Sequence, residues 1–177
     1  MMRKYFKPLS LPITLLFAGA LSGCGFTPLH GTDGASAPLA DIDIDVVRGP
    51  SVVDNQAGFF MLQRVRDRIG NTSDTSPYQL QIRPSYNRSQ LGLTNADVAS
   101  RYDISVTANW VLTDSKTGGR LDSGSTQSIV TFGAPEGPYG VITADNVGVE
   151  QAAKETADKL IIELARYFSS EKAQALK

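Results

Sequence analysis

Hydrophobic and polar residues alternate most regularly between Arg101 and Asp114, where Tyr102, Ile104, Val106, Ala108, Trp110 and Leu112 take every second position. Asp103, Ser105, Thr107, Asn109 and Thr113 lie between them. A period of two sustained over that length predicts an amphipathic strand with one face on a core and the other on water. Two shorter alternations predict further strands: Ile42, Ile44 and Val46 between Asp41, Asp43 and Asp45, and Tyr78, Leu80 and Ile82 between Gln79, Gln81 and Arg83. The second runs into Pro84, which cannot donate to a ladder, so it reads as an edge strand or one bulged at that point. Tyr86, Arg88 and Leu91 either continue it or form a loop. Beyond Asp114, "DSKTGGR" is a polar loop with two glycines that closes a hairpin, and Arg120–Phe132 returns as a strand. That strand is mostly Ser, Thr, Gly and Gln, a composition that suits either a partner surface or a solvated edge.

Two segments follow the helical period instead. Phe59, Leu62, Val65 and Ile69 recur at steps of three and four, with Asp54 or Asn55 able to cap the start and Gly70-Asn71 to stop it. Arg64, Arg66 and Arg68 read as solubilising residues on the outer faces. "GAPEGPYG" then breaks the pattern, and a last helix, capped at Thr143 or Asp145, lines up Val149, Ala153, Thr156, Leu160, Leu164 and Phe168. The order β-α-β-β-β-α predicts an α+β two-layer sandwich, a sheet of about four strands packed by two helices on one face. This places a single domain at 40–170 and a frayed tail at 171–177.

The first residues have a different character. Arg3, Lys4 and Lys7 precede an uncharged apolar run from about Leu9 to Leu21, followed by Ser22, Gly23 and Cys24. A positive start, a short apolar stretch and small residues describe a signal peptide, here 1–23. The run is too short for a membrane helix, which needs about 20 apolar residues. Leu21-Ser22-Gly23-Cys24 resembles the bacterial lipobox, which makes Cys24, the only cysteine, the lipidation site. Gly25 after it points to sorting to the outer membrane. Residues 24–39, rich in Gly, Ala, Ser and Pro, read as a lipidated tether.

Charge and chemistry narrow the function. The chain has formal net charge −1, and cleavage before Cys24 removes basic residues only, so nucleic acid is not an expected partner. The Asp41, Asp43, Asp45 trio lacks the glycine and glutamate of a calcium loop and reads as a solvated face. The only histidine, His30, sits in the tether, and "DSGST" has no base to complete a nucleophile. Neither an enzyme, a metal nor a cofactor is expected.

"LSGCGFTPLHG", "RYDISVTANWVLTD" followed by "TGGRLDSG", and the closing "ADNVGVEQAAKETADKLIIELARYF" together resemble the LptE-type lipopolysaccharide-assembly lipoproteins, specifically the alphaproteobacterial branch. The resemblance implies a lipid-anchored outer-membrane protein facing the periplasm and the barrel lumen. It would plug the LptD β-barrel, assist that barrel's assembly and help deliver lipopolysaccharide to the cell surface. The alternative is an auxiliary lipoprotein of an ABC-type lipid transport system. In the family, basic residues near the loop before the long central strand and ahead of the final helix are implicated in lipid contact. Here "LGLTNAD" and "GVITADN" hold none, so the candidates are Arg88 and Arg101, flanking the first stretch, and Lys116 and Arg120, on the hairpin.

Overall fold

The alternation around Trp110 becomes an inner strand of a four-stranded sheet, in a computed structural model that describes residues 39, 41–70, 75–93, 99–133 and 137–175. The elements are β1 (Ile42–Val46), α1 (Val52–Ile69), β2 (Tyr78–Leu93), β3 (Ala99–Asp114), β4 (Arg120–Gly133) and α2 (Pro138–Ala175). The sheet order is β1-β2-β3-β4, with β1 parallel to β2 and the other pairs antiparallel. Both helices pack on the face formed by the even-numbered residues of β2, β3 and β4. Leu80, Ile82, Ile104, Val106, Ala108, Trp110 and Leu112 are buried there against Met61, Val65, Val149, Leu160 and Leu164. The fold is therefore the α+β sandwich predicted, with a mixed sheet. Cys24 and His30 lie outside the described residues. Leu39, where the tether was expected to end, is already buried in the core.

β2 does not stop at Pro84. It continues in unbroken register with β3 from Tyr78↔Asp114 to Leu93↔Ala99. The proline acts on the other side of the strand. Val47 N donates to Ile82 O at 2.9 Å, and the next parallel rung would need the N–H that residue 84 lacks, so β1 ends there. Beyond that point β2 is an edge on one side only.

α1 fills the gap left by the missing rung. Its cap is Ser51, whose hydroxyl accepts from Asp54 N at 3.0 Å while Asp54 Oδ2 accepts from Ser51 N at 3.0 Å, a complete capping box. Asp54 is thus the third residue of the helix rather than its cap. Its other oxygen, Oδ1, accepts from Tyr86 N at 2.7 Å, the next unpaired amide on β2. Burial raises the Asp54 carboxyl, but the hydrogen bonds from the Ser51 hydroxyl and the Tyr86 and Ser51 amides outweigh it and hold the group below the usual carboxylate range.

The rotation of α1 differs from the predicted stripe: Phe59 is 62% exposed, and Ala57, Gly58, Met61, Val65 and Ile69 face the sheet. Close approach decides this. A Cβ on Gly58 would lie 2.9 Å from Val46 Cγ1 and 3.0 Å from Pro84 Cγ, so the helix lies on the sheet through its smallest residues. Arg64, expected to be solubilising, makes a two-pronged pair with Asp158 of α2 at 2.9 and 2.8 Å and joins the two helices.

α2 buries the row predicted for it: Val149, Ala153, Thr156, Leu160, Leu164 and Phe168 are all at most 3% exposed. It starts earlier than expected, at Pro138, because a proline fits the first helical position, where its missing N–H would have no partner. Thr143 and Asp145 are therefore inside the helix and cap nothing; Thr143 Oγ1 donates back to Tyr139 O at 2.9 Å. Its backbone stays helical to Ala175, past the domain end placed at 170. On β4, Gly124 leaves room for its cross-strand neighbour on β3: a Cβ there would lie 2.7 Å from Trp110 Cζ2. Among the described residues, no helix is long and apolar enough to cross a membrane.

Replacing Asp54 by alanine removes the box and strands a buried amide, which should lower stability by about 2–4 kcal/mol in urea melts followed by the single tryptophan. Because the native carboxyl is held below its ordinary value of 3.8, this contribution is complete above that pH. It fades as pH falls through it, so the gap between wild type and Asp54→Ala should narrow in acid. Gly58→Val should cost about 1–3 kcal/mol by overpacking, whereas a stability gain would contradict the close approach described.

Candidate functional site

Past the start of α1, the helix side of β2 is covered less completely, and that is where the polar chemistry gathers. The alternation that buries Leu80 and Ile82 carries through Pro84 to place Tyr86 and Arg88 on the same face. Register then aligns Arg88 with Ile104 and Val130, and Gln90 with Tyr102 and Phe132. The Arg88 guanidinium lies 4.1 Å from the centre of the Tyr102 ring, and Tyr102 stacks on Phe132 at 5.5 Å with 26° between planes. A cation so placed on a half-buried ring contributes about 1 kcal/mol.

α2 contributes the counter-charge. Asp145 Oδ1 accepts from Tyr86 Oη at 3.0 Å and lies 3.6 Å from Arg88 Nη1. The arginine side chain remains 30% exposed and its ion pair is long, so guanidinium N–H groups are left for a further acceptor. Tyr86 is pushed up to about 12, first by burial and then by its hydrogen bond to the Asp145 carboxylate. The arrangement is a cation seated on an aromatic platform beside a carboxylate, suited to a ligand that presents an anionic oxygen and an apolar or ring surface.

The four basic residues singled out by sequence do not converge. Arg88 is on the helix face. Arg101 aligns with Leu91 and Gly133 on the opposite face of the same end of the sheet. Lys116 and Arg120 flank the β3–β4 hairpin, at the other end of strands about 50 Å long. There Asp114 organises the turn: its Oδ1 accepts from Thr117 N at 2.7 Å and Lys116 N at 2.9 Å, and Gly118 supplies a φ of 68°. The Thr117 amide and hydroxyl hold the Asp114 carboxyl below the usual range. Asp43 and Asp45 align with Gln79 and Gln81 on the face away from the helices, as a solvated face requires.

Sequence reading missed Tyr86, Tyr102, Phe132 and Asp145 as a unit. The available signal was the alternation itself: extended past Pro84, it puts Arg88 on the core side, where a charge requires partners.

Solved structures share this architecture. A lipoprotein of Caulobacter crescentus CB15 superposes with a TM-score of 0.61 at 26% identity, covering 77% of this chain and 96% of that one. Bacterial lipoproteins share its fold. Rare lipoprotein B of Shewanella oneidensis matches with a TM-score of 0.52 at 11% identity over 77% of this chain and 98% of that one. A lipoprotein B of Nitrosomonas europaea matches with a TM-score of 0.55 at 11% identity, over 72% and 83%. No family model and no curated protein matches the sequence.

In alkaline ultraviolet titration one tyrosine should ionise near 12, and Tyr86→Phe should remove that step. The stability that Tyr86 contributes as a neutral donor is full below its ordinary value of 10.0 and lost as pH rises toward 12, so Tyr86→Phe and wild type should converge in strong base.

Proposed function

We propose that this chain is a non-enzymatic outer-membrane lipoprotein that plugs the LptD β-barrel, assists its assembly and helps deliver lipopolysaccharide to the cell surface. The observation that carries the reading is the fold shared with the Caulobacter lipoprotein over nearly all of that protein's length. The likeness to rare lipoprotein B adds fold-level support, and the LptE-type resemblance of the sequence supplies the function.

Two features of the domain suit the task. The middle of the sheet face away from the helices is lined by Ser85, Asn87, Ser105, Thr107, Asn109 and Gln127, with Asp43, Asp45, Arg83, Arg101 and Asp103 around them, a surface compatible with the polar interior of a large barrel. The Arg88 cluster offers a charge-assisted contact for a lipid phosphate and an aromatic surface for its sugar or acyl portion. Cys24 would carry the acyl chains. The tether leads to Leu39 and β1, and β1 begins opposite Tyr78, at the far end of the sheet from Arg88.

A detergent pull-down of the native lipoprotein should recover a large outer-membrane barrel, with intact mass showing acyl chains on Cys24; a transporter of the ABC type in its place would sink the barrel assignment. Cys24→Ala should leave a folded domain that no longer fractionates with the outer membrane. Arg88→Glu should weaken lipopolysaccharide binding roughly tenfold while barrel recovery is unchanged, as expected for loss of one charge-assisted contact.

A further inference from the structure

β4 is the outermost strand on its side of the sheet, and among the described residues no strand neighbours its outer edge. Alternate residues of this fourteen-residue strand, Ser125 and Gln127 among them, thus turn their backbone N–H and C=O groups outward along one line, while the residues between them bond to β3. Natural edges are usually blunted by charge, proline or a bulge, yet from Ser123 to Gly133 the strand has no charged residue, no proline and no register shift. Among the described residues, Lys159 of α2 reaches it, donating from Nζ to the Gln127 carbonyl at 2.6 Å. Two exposed apolar residues mark the strand, Leu121 at 36% and Ile129 at 56%, and each is four positions from Ser125.

We propose that this edge pairs antiparallel with the same edge of a second copy of the chain, across a twofold axis at Ser125. Residues equidistant from Ser125 then face each other. Leu121 comes opposite Ile129 at both ends, which covers the exposed apolar positions in pairs. Asp122 comes opposite Ser128, and both lie on the helix side, because their β3 neighbours Leu112 and Val106 are buried there. The carboxylate of Asp122 in the second copy is therefore brought beside Lys159. The ammonium yields the Gln127 carbonyl to an incoming N–H and gains an acidic partner in exchange. Sliding the register by two residues loses both matches, so charge and apolar complementarity select the same alignment. An isologous contact of this kind closes after two copies. It is one strand wide, below the about 800 Å² per partner of a standard stable interface, so the dimer is reversible and concentration-dependent. The inference does not rest on the lipopolysaccharide reading.

Cysteine pairing tests the axis directly. In the full chain with Cys24→Ser, which has no other thiol, Ser125→Cys should form a disulfide-linked dimer under mild oxidation, because opposed residues of a hydrogen-bonded antiparallel pair lie about 5.5 Å apart. Ser123→Cys, whose twin lies four residues along the partner strand, should stay monomeric. Sedimentation equilibrium of the Cys24→Ser chain should show a monomer–dimer equilibrium, weakened roughly tenfold or more by Ile129→Lys with tryptophan fluorescence unchanged. Equal cross-linking at Ser123 and Ser125, or a monomer at every concentration with no cross-link, overturns the proposal.

Discussion

The carboxylate of Asp54 joins three parts of the molecule that would otherwise be loose. It closes the capping box at the start of α1, and it takes the Tyr86 amide that β2 exposes once Pro84 has ended the pairing with β1. The proline and the aspartate work as a pair. One ends the parallel strand at a fixed rung, and the other brings a helix terminus to the first amide left over. A buried acid is costly unless hydrogen-bonded, and here three donors reach it, from the Ser51 hydroxyl and two backbone amides. The contact fixes where α1 starts relative to β2, just past the rung at which Pro84 ends β1.

Spacing between the layers is set by residues that have little or no side chain. Gly58 lies on Val46 and Pro84, and a Cβ on Gly148 would lie 2.6 Å from Ile104 Cδ1; within the sheet, Gly124 likewise leaves room for Trp110 on the next strand. This explains which parts of the fold could be read from the chain. The β3 alternation and the four-step row of α2 were legible because large apolar residues carried the signal, and burial followed them. The rotation of α1 was not, because its contact face is built on Ala57 and Gly58, and the eye is drawn to Phe59 instead. Pro84 was correctly seen as an obstacle to pairing, but a strand has two edges, and the sequence does not say which one lacks a neighbour.

The candidate site was half legible for a similar reason. Arg88 was named for its charge alone, together with Arg101, Lys116 and Arg120, which register places on another face or at the other end of the sheet. What distinguishes Arg88 is contact with Tyr102 and Asp145, fourteen residues and more away in the chain, and pairing of that range has no local signature. Asp145 was visible as an acid near a helix start. Its actual partners are Tyr86 and Arg88 on β2, because the helix begins at Pro138, about two turns earlier.

The helices are unequal companions to the sheet. α1 spans about 27 Å against strands about 50 Å long, so three packed elements at the entry end thin to a single helix over bare strands where Arg88 sits. Local stability follows thickness, since backbone bonds screened on one side only open more readily than those sealed within the core. The molecule is therefore a wedge with a firm base and a compliant tip, and the tip is where its ion pairs can rearrange at least cost.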